Sequence, residues 1–136
     1  MIIVDTNVIA YLFLPTPHST DAEQLLIQEP VWGTPSLWRS ELRNILALYL
    51  RKELLALRQA LQIQAEAELL MAENEFEVSS TDVLALVEES SCSAYDCEFV
   101  CLAQNTNTTL VTMDKKILAD FPSSAKSLRQ FLESTI

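Results

Sequence analysis

The sequence predicts an α/β fold, a three-layer sandwich with a central, mostly parallel sheet flanked by helices. Short apolar runs alternate along the 136 residues with longer segments of helical periodicity, and strands separated by helices form parallel sheets that are covered on both faces. A hydrophobic content of 49% fits one domain over residues 1–136, because a chain of this length buries about two-thirds of its unfolded surface.

The first strand and the first helix are marked by their ends. Ile2–Val4 is a short apolar run, and the Asp-Thr-Asn that follows it is typical of a helix N-terminus. Apolar residues continue over 8–14 and stop at Pro15, which predicts a short helix. A second helix is predicted over 21–28 and a second strand over 31–34.

The longest helical pattern begins after Pro35 and continues to about residue 72. A straight helix of that length would measure about 55 Å, whereas a domain of this size is only about 35 to 40 Å across. We therefore predict that the chain folds back near residues 51–53, although neither glycine nor proline marks the turn.

The second half of the chain continues the alternation of strands and helices. A strand is predicted over 76–78, helices over 81–89 and 94–104, and another strand over 109–111. A further helix opens at Asp114, and the pattern over 127–132 fits neither strand nor helix clearly. Ligands of a parallel sheet are expected at the carboxyl ends of its strands.

Composition restricts the chemistry that this chain can perform. Glycine occurs only at Gly33, which excludes a glycine-rich loop that binds pyrophosphate or triphosphate. Histidine occurs only at His18, which excludes paired imidazoles and multi-histidine metal centres. The net charge of −10 is the opposite of the broad positive surface of a tight nucleic-acid binder. Catalysis, if present, must use carboxylates.

The cysteines and the apolar runs indicate the compartment. Cys92, Cys97 and Cys101 are odd in number and lie within ten residues, so we expect small buried hydrophobic side chains and not a disulfide framework. A reducing cytoplasm is the expected location. No run approaches the ~18 apolar residues that a membrane span needs, so no membrane association is expected.

Glu41 stands out because its position on the predicted helix is apolar. With Leu37 at 0° on a helical wheel, the apolar arc runs from about 0° to 140° and contains Glu41 at about 40°. Asp96 likewise falls between Phe99 and Val100 on the later helix, whereas Glu98 points away from them.

Two further acids follow apolar strands. Asp5 follows Ile2–Val4 and Asp114 follows the run over 110–113, so both are expected at the carboxyl edge of the sheet. Each of these two could simply cap a helix, and Asp96 could complete a capping box with Ser93. If the four carboxylates converge instead, they must stay protonated or bind cations, and Mg²⁺ or Mn²⁺ suits all-oxygen ligands.

These residues resemble the motifs of the PIN domain family and, within it, of the small ribonuclease toxins of the VapC type. The resemblance covers the strand with Asp-Thr-Asn at 4–7, Glu41 in the third helix, Tyr95-Asp96 opening a later helix, and Asp114 after its strand. It implies a Mg²⁺- or Mn²⁺-dependent endoribonuclease that is usually a homodimer and is often inhibited by a small antitoxin.

The resemblance also implies roles for individual residues. Asp5, Glu41, Asp96 and Asp114 would be the catalytic, metal-binding quartet, and Asn7 and Thr112 would orient those carboxylates or the attacking water. Phosphodiester hydrolysis at such a site is metal-assisted and needs no side-chain nucleophile. Arg39, Arg43 and Lys115 are the candidate phosphate contacts because each lies within about one helical turn of a quartet member.

Two partners are expected besides single-stranded RNA. Residues 66–98 contain ten acids and no base, which favours a basic peptide such as an antitoxin's cationic segment. Trp32, Trp38 and the leucine-rich segment 45–72 offer more apolar surface than a small monomer readily buries, which favours a homodimer.

Other functions remain open at this stage. A non-catalytic PIN-like binding module would normally have lost part of the quartet, and a DNA-directed nuclease would need the same residues. A Mg²⁺ phosphatase or receiver-type phosphoacceptor fits poorly, because the residue two after Asp5 is Asn7 and Lys115 does not end a strand.

Overall fold

A five-stranded parallel sheet forms the centre of the computed structural model, which describes residues 1–134. The strands are β1 (Ile2–Val4), β2 (Trp32–Pro35), β3 (Glu75–Phe76), β4 (Leu110–Val111) and β5 (Ala125–Lys126), in the order β3-β2-β1-β4-β5. β1 is the middle strand, with Ile3 paired to Gly33 on one side and to Leu110 on the other. The predicted α/β architecture is confirmed.

In the described part of the chain eight helices flank the sheet, and most begin or end within two residues of the predicted limits. They are α1 (Thr6–Phe13), α2 (Ser19–Gln28), α3 (Trp38–Arg51), α4 (Leu57–Met71), α5 (Ser80–Glu88), α6 (Ala94–Asn105), α7 (Lys115–Asp120) and α8 (Leu128–Ser134). The unassigned pattern over 127–132 is mostly helix α8. β5 was not predicted, because two residues are too few to show the alternation that marks a strand.

The turn between α3 and α4 lies where the length argument placed it. Glu53 has φ of 59°, in the left-handed region that favours glycine. The N–H of Leu54 donates to the carbonyl of Tyr49 (2.9 Å), and the N–H of Glu53 donates to that of Leu50 (3.0 Å). These two bonds form a Schellman motif, so the helix ends without the glycine that usually marks such a turn.

The apolar core lies on both faces of the sheet and includes both tryptophans. Trp32 is 1% exposed and Trp38 is fully buried. The expectation that these side chains supply surface for self-association is therefore wrong. Several leucines of the α3–α4 hairpin are exposed instead, namely Leu48, Leu54, Leu57, Leu61 and Leu69. Of the residues expected to offer apolar surface to a partner, these leucines are exposed and the two tryptophans are not.

The three cysteines are buried free thiols, in agreement with the expected packing role. Burial raises the pKa of Cys92 to about 11 and also raises the pKa of Cys97 and of Cys101, so these thiols are poor nucleophiles. Within residues 1–134, no helix combines the length and the apolar character that crossing a bilayer requires.

We predict that Glu53→Gly raises the free energy of unfolding by about 1 kcal/mol, because glycine adopts positive φ without the steric penalty of a side chain. Asn107 is the matched control. It has φ of 52° at the end of α6 and closes the same motif, with the N–H of Thr108 donating to the carbonyl of Ala103.

Asparagine tolerates this conformation better than glutamate does, so Asn107→Gly should change stability by less than about 0.5 kcal/mol. Urea denaturation of both variants measures the difference. A gain from Glu53→Gly no larger than that from Asn107→Gly would show that Glu53 is unstrained.

Candidate active site

The four acids predicted from the sequence line one cleft of about 550 Å³ at the carboxyl edge of the sheet. Asp5 follows β1 and Asp114 follows β4, while Glu41 lies in α3 and Asp96 in the first turn of α6. The remaining lining residues are mostly polar or partly buried apolar side chains: Thr6, Asn7, Leu37, Ser40, Asn44, Ile45 and Tyr95. The fold therefore brings together acids that are more than 30 residues apart in the sequence, except for the pair Asp96 and Asp114.

Asp5 is the most buried of the four carboxylates. It is 8% exposed, and its two oxygens accept separate hydrogen bonds, Oδ1 from the backbone N–H of Thr6 (2.8 Å) and Oδ2 from the hydroxyl of Thr112 (2.6 Å). Burial raises the pKa of Asp5 from 3.8 to about 7; the two hydrogen bonds oppose the rise, and the charges of Glu41 and Asp96 add to it.

Glu41 is tied to the Asp5 turn by Thr6. The hydroxyl of Thr6 donates to Oε1 of Glu41 (2.7 Å), while its backbone N–H donates to Asp5. Burial raises the pKa of Glu41, and the charge of Asp96 raises it further. One threonine therefore positions two carboxylates that are 36 residues apart in the sequence.

Asp96 and Asp114 lie at the N-terminal ends of two different helices. The N–H of Asp96 donates to the hydroxyl of Ser93 (3.1 Å), which caps α6, and Oδ1 of Asp114 accepts from the N–H groups of Lys116 and Ile117 (2.9 and 3.1 Å). Burial raises the pKa of Asp96, and the charge of Asp114 adds to the increase. The capping roles considered for Asp5 and Asp114 are therefore real, and they coexist with a place in the cleft.

The chemistry of this cleft suits a hard cation. The described residues that line it include no lysine, arginine or histidine, so the like charges have no cationic side chain among them. Within residues 1–134, no group of three or more His, Cys, Asp or Glu side chains is arranged so that it could hold a metal ion as it stands. The donor set fits Mg²⁺ or Mn²⁺ in residue type, although the carboxylates do not form a closed cage.

The two predicted supporting residues occupy different positions. Thr112 is fully buried; it donates to Asp5 and accepts from the N–H of Asp114 (3.0 Å), so it connects both strand-end acids. Asn7 lines the cleft, and its buried Oδ1 has no hydrogen-bond partner among the described residues. An unpaired buried acceptor is costly, and an ion's water or a substrate group would satisfy it.

The three predicted phosphate contacts are not equivalent. Arg39 is paired within the protein: its guanidinium donates to Glu75 (2.8 to 3.1 Å) and to Glu68 (2.9 Å). Arg43 is exposed, and within residues 1–134 it donates to the hydroxyl of Ser40 (3.1 Å). Lys115 is exposed directly beside Asp114. The guanidinium of Arg39 is therefore engaged in holding α4 and β3 against α3.

The buried face of helix α3 differs from the predicted apolar arc. Its buried residues are Trp38, Leu42 and Leu46, whereas Leu48 is 50% exposed. Glu41 therefore lies at the border between the core and the cleft. Ser40 and Asn44 are exposed and also line the cleft.

Sequence reasoning missed the roles of Thr6 and Tyr95. Thr6 is buried and donates hydrogen bonds to both Asp5 and Glu41. The sequence indicated this role only by placing a hydroxyl side chain directly after Asp5. Tyr95 precedes Asp96, lines the cleft and is 63% exposed. An aromatic residue on the first turn of a helix shows in the sequence, but its exposure depends on the packing.

We predict that the protein in EDTA loses stability as the pH rises from about 4 to 8. The folded state binds the Asp5 proton more tightly than the unfolded chain does, because the pKa of Asp5 is raised from 3.8 to about 7. This contribution is complete below pH 4 and is lost as the pH rises through 7, by on the order of 4 kcal/mol.

Asp5→Asn should remove this part of the pH dependence, and Glu23→Gln, on an exposed position of α2, should retain it. Urea denaturation between pH 4 and 8 measures both. An equal decline in Asp5→Asn and in the unaltered protein would mean that Asp5 does not titrate in this range.

Comparisons with known proteins agree with this architecture. The chain resembles Ribonuclease VapC3 of Pyrobaculum aerophilum, with 29% identity over 135 residues that cover 90% of this chain and 95% of that protein. A crystal structure from the same organism matches with a TM-score of 0.71 at 18% identity, covering 97% of this chain and 93% of that one.

A toxin-antitoxin complex from Klebsiella pneumoniae matches with a TM-score of 0.70 at 18% identity, over 94% of this chain and 98% of that one. At such identities the structural likeness establishes the fold alone. The model of the PIN domain family matches residues 2–122. Because this match spans most of the sequence, the chain belongs to the PIN domain family.

Proposed function

We propose that this protein is a Mg²⁺- or Mn²⁺-dependent endoribonuclease. The observation that carries the proposal is the shared cleft, in which Asp5, Glu41, Asp96 and Asp114 meet without a cationic side chain among the lining residues that the structure describes. The similarity to Ribonuclease VapC3 supports the choice of RNA. A non-catalytic module would not need all four acids, and a DNA-directed nuclease is the remaining alternative.

The four carboxylates would hold the cation, and the neighbouring hydroxyls would hold the carboxylates. Bound there, the cation would supply the Lewis acidity that phosphodiester hydrolysis needs. Thr112 and Thr6 donate to Asp5 and Glu41, which keeps both side chains oriented toward the cleft. The Asn7 Oδ1, which lacks a partner among the described residues, would accept a hydrogen bond from the attacking water.

In the proposed reaction water adds to phosphorus and the P–O3′ bond breaks. The products carry a 5′-phosphate and a 3′-hydroxyl, whose oxygen takes up a proton. Arg43 and Lys115, the two exposed cations nearest the cleft residues in sequence, would contact the flanking phosphates.

Tyr95 favours a single-stranded substrate. Its ring is 63% exposed at the cleft, one residue from Asp96, and exposed aromatic rings stack on unpaired bases whatever the sequence. Bases within a duplex are already stacked on each other and are not available to such a ring. We therefore include single-stranded RNA in the proposal.

We also propose that the protein is the cytoplasmic toxin of a toxin–antitoxin pair. The solved Klebsiella pneumoniae neighbour is such a complex, and the acidic segment 66–98 offers exposed carboxylates to a basic partner peptide. The exposed leucines of the α3–α4 hairpin support self-association into a homodimer.

Cleavage of single-stranded RNA should require Mg²⁺ or Mn²⁺ and should stop in EDTA. We predict that Asp5→Asn and Glu41→Gln each lower kcat/KM by roughly 100-fold or more, because each removes a carboxylate from the cation site. Gel analysis of labelled RNA measures the rates.

Glu88→Gln is the matched control, since Glu88 is exposed at the end of α5 and does not line the cleft, and it should change the rate by less than about threefold. Cleavage that persists in EDTA, or in either cleft variant, would contradict the proposal. Equal cleavage of single-stranded DNA would show that the substrate is not restricted to RNA, and the proposed metal-dependent hydrolysis would still hold.

We predict that Tyr95→Ala raises KM for single-stranded RNA about 10-fold, as expected for the loss of one stacked base, with little change in kcat. Tyr95→Phe retains the ring and should behave like the unaltered protein. RNA that contains 2-aminopurine reports stacking directly through quenching of its fluorescence.

The quenching should be lost in Tyr95→Ala and retained in Tyr95→Phe. Unchanged KM and unchanged quenching in Tyr95→Ala would show that the ring does not touch the substrate, without affecting the assignment of the carboxylates.

A further inference from the structure

Asp120, at the end of α7, binds the loop that connects α5 and α6. Its Oδ2 accepts three hydrogen bonds, from the backbone N–H of Ser91 (2.7 Å), from the hydroxyl of Ser91 (2.7 Å) and from the thiol of Cys92 (3.7 Å). The hydrogen bonds from Ser91 hold the pKa of Asp120 below its ordinary value. Asp120 itself is exposed and does not line the cleft.

Each of the two segments joined by this contact, α7 and the loop before α6, is next to a carboxylate of the cleft. On one side, α7 has only six residues and begins at its capping residue Asp114. On the other side, Ser93 follows Cys92 directly and caps the helix in which Asp96 lies. A short helix and a short loop therefore connect Asp114 to Asp96 through the Asp120 carboxylate.

Such a connection is needed because the two cleft carboxylates repel each other. Asp96 and Asp114 line the same cleft, and two ionised carboxylates that share a site interact unfavourably. α7 packs on the core through Ile117 and Leu118, and Phe121 is buried directly after Asp120, so the helix is a fixed support. The charge-assisted bonds of Asp120 hold the loop before α6 against that support.

We propose that Asp120 is a positioning residue that sets the distance between Asp96 and Asp114 and, through that distance, the affinity of the cleft for a divalent cation. The inference rests on the proposed function, because it assumes that the cleft binds a cation. Residues that orient the ligands of a metal typically change its affinity 10- to 100-fold; for this exposed contact we expect about 10-fold.

The test is a titration of the full chain with Mn²⁺, followed through the electron paramagnetic resonance signal of the free ion. Asp120→Ala should weaken Mn²⁺ binding about 10-fold. Asp120→Asn retains an acceptor oxygen for Ser91 and should recover most of the affinity. Ser91→Ala removes the hydroxyl donor alone and should weaken binding less than Asp120→Ala does.

Asp21→Asn is the matched control, because it breaks a comparable surface contact between α2 and α8, the ion pair of Asp21 with Arg129 (3.4 Å). Mn²⁺ affinity should be unchanged in that variant. Circular dichroism of each variant confirms that it is folded, and if Asp120→Ala is unfolded, Asp120→Asn and Ser91→Ala decide the question.

Four outcomes overturn the inference. Binding of Mn²⁺ by folded Asp120→Ala with unaltered affinity, or an equal loss in Asp21→Asn, overturns the role of Asp120 and leaves the proposed function intact. If Asp120→Ala is unfolded, unaltered Mn²⁺ affinity in Ser91→Ala likewise overturns the role of Asp120 and leaves the proposed function intact. Failure of the unaltered protein to bind Mn²⁺ overturns the proposed function and this inference with it.

Discussion

The burial of one carboxylate at the end of the central strand is the constraint on which the cleft depends. Asp5 is 8% exposed, and within residues 1–134 its hydrogen-bond donors are Thr6 and Thr112, neither of them charged. Taking an ionised carboxylate out of water costs several kcal/mol, and two hydrogen bonds offset only part of that cost. The side chain therefore either takes up a proton near neutral pH or shares the cleft with a cation.

The parallel sheet explains why acids distant in the sequence meet around Asp5. Val4 of β1 is in register with Val111 of β4, so Asp5 and Thr112 follow at the same level and their side chains bond. β1 is the middle strand. Asp5, at its carboxyl end, therefore lies near α3, which follows β2, and near α6, which precedes β4. α3 brings Glu41 and α6 brings Asp96 to that point.

Much of this arrangement could be predicted from the sequence, since it depends on local patterns. Apolar runs and helical periodicity located four of the five strands, and the length of the 36–72 segment located the turn at Glu53 without any turn residue. Glu41 could be recognised because a charge beside apolar positions is unusual. Strand β5 could not be predicted, because Ala125 and Lys126 form a strand only by pairing with β4.

Two features that the sequence did not reveal share a physical cause, which is that pairing and exposure depend on tertiary packing. Arg39 is close to Glu41 in sequence, yet its guanidinium bonds to Glu75 and Glu68, which approach it only when α4 and β3 fold against α3. Trp32 and Trp38 looked like surface for a partner and are buried in the core. A helical wheel shows which residues share a face but not which neighbour covers that face.

Helix capping and cation binding are compatible roles for the same acids. Asp5 and Asp114 cap α1 and α7, and Asp96 lies in the first turn of α6, so three helices present their N-terminal ends to the cleft. The partial positive charge of a helix N-terminus stabilises a nearby anion, and the charge of the exposed Lys116, outside the cleft lining, also lowers the pKa of Asp96. Because both backbone donors to Asp114 contact Oδ1, capping leaves its other oxygen for a ligand.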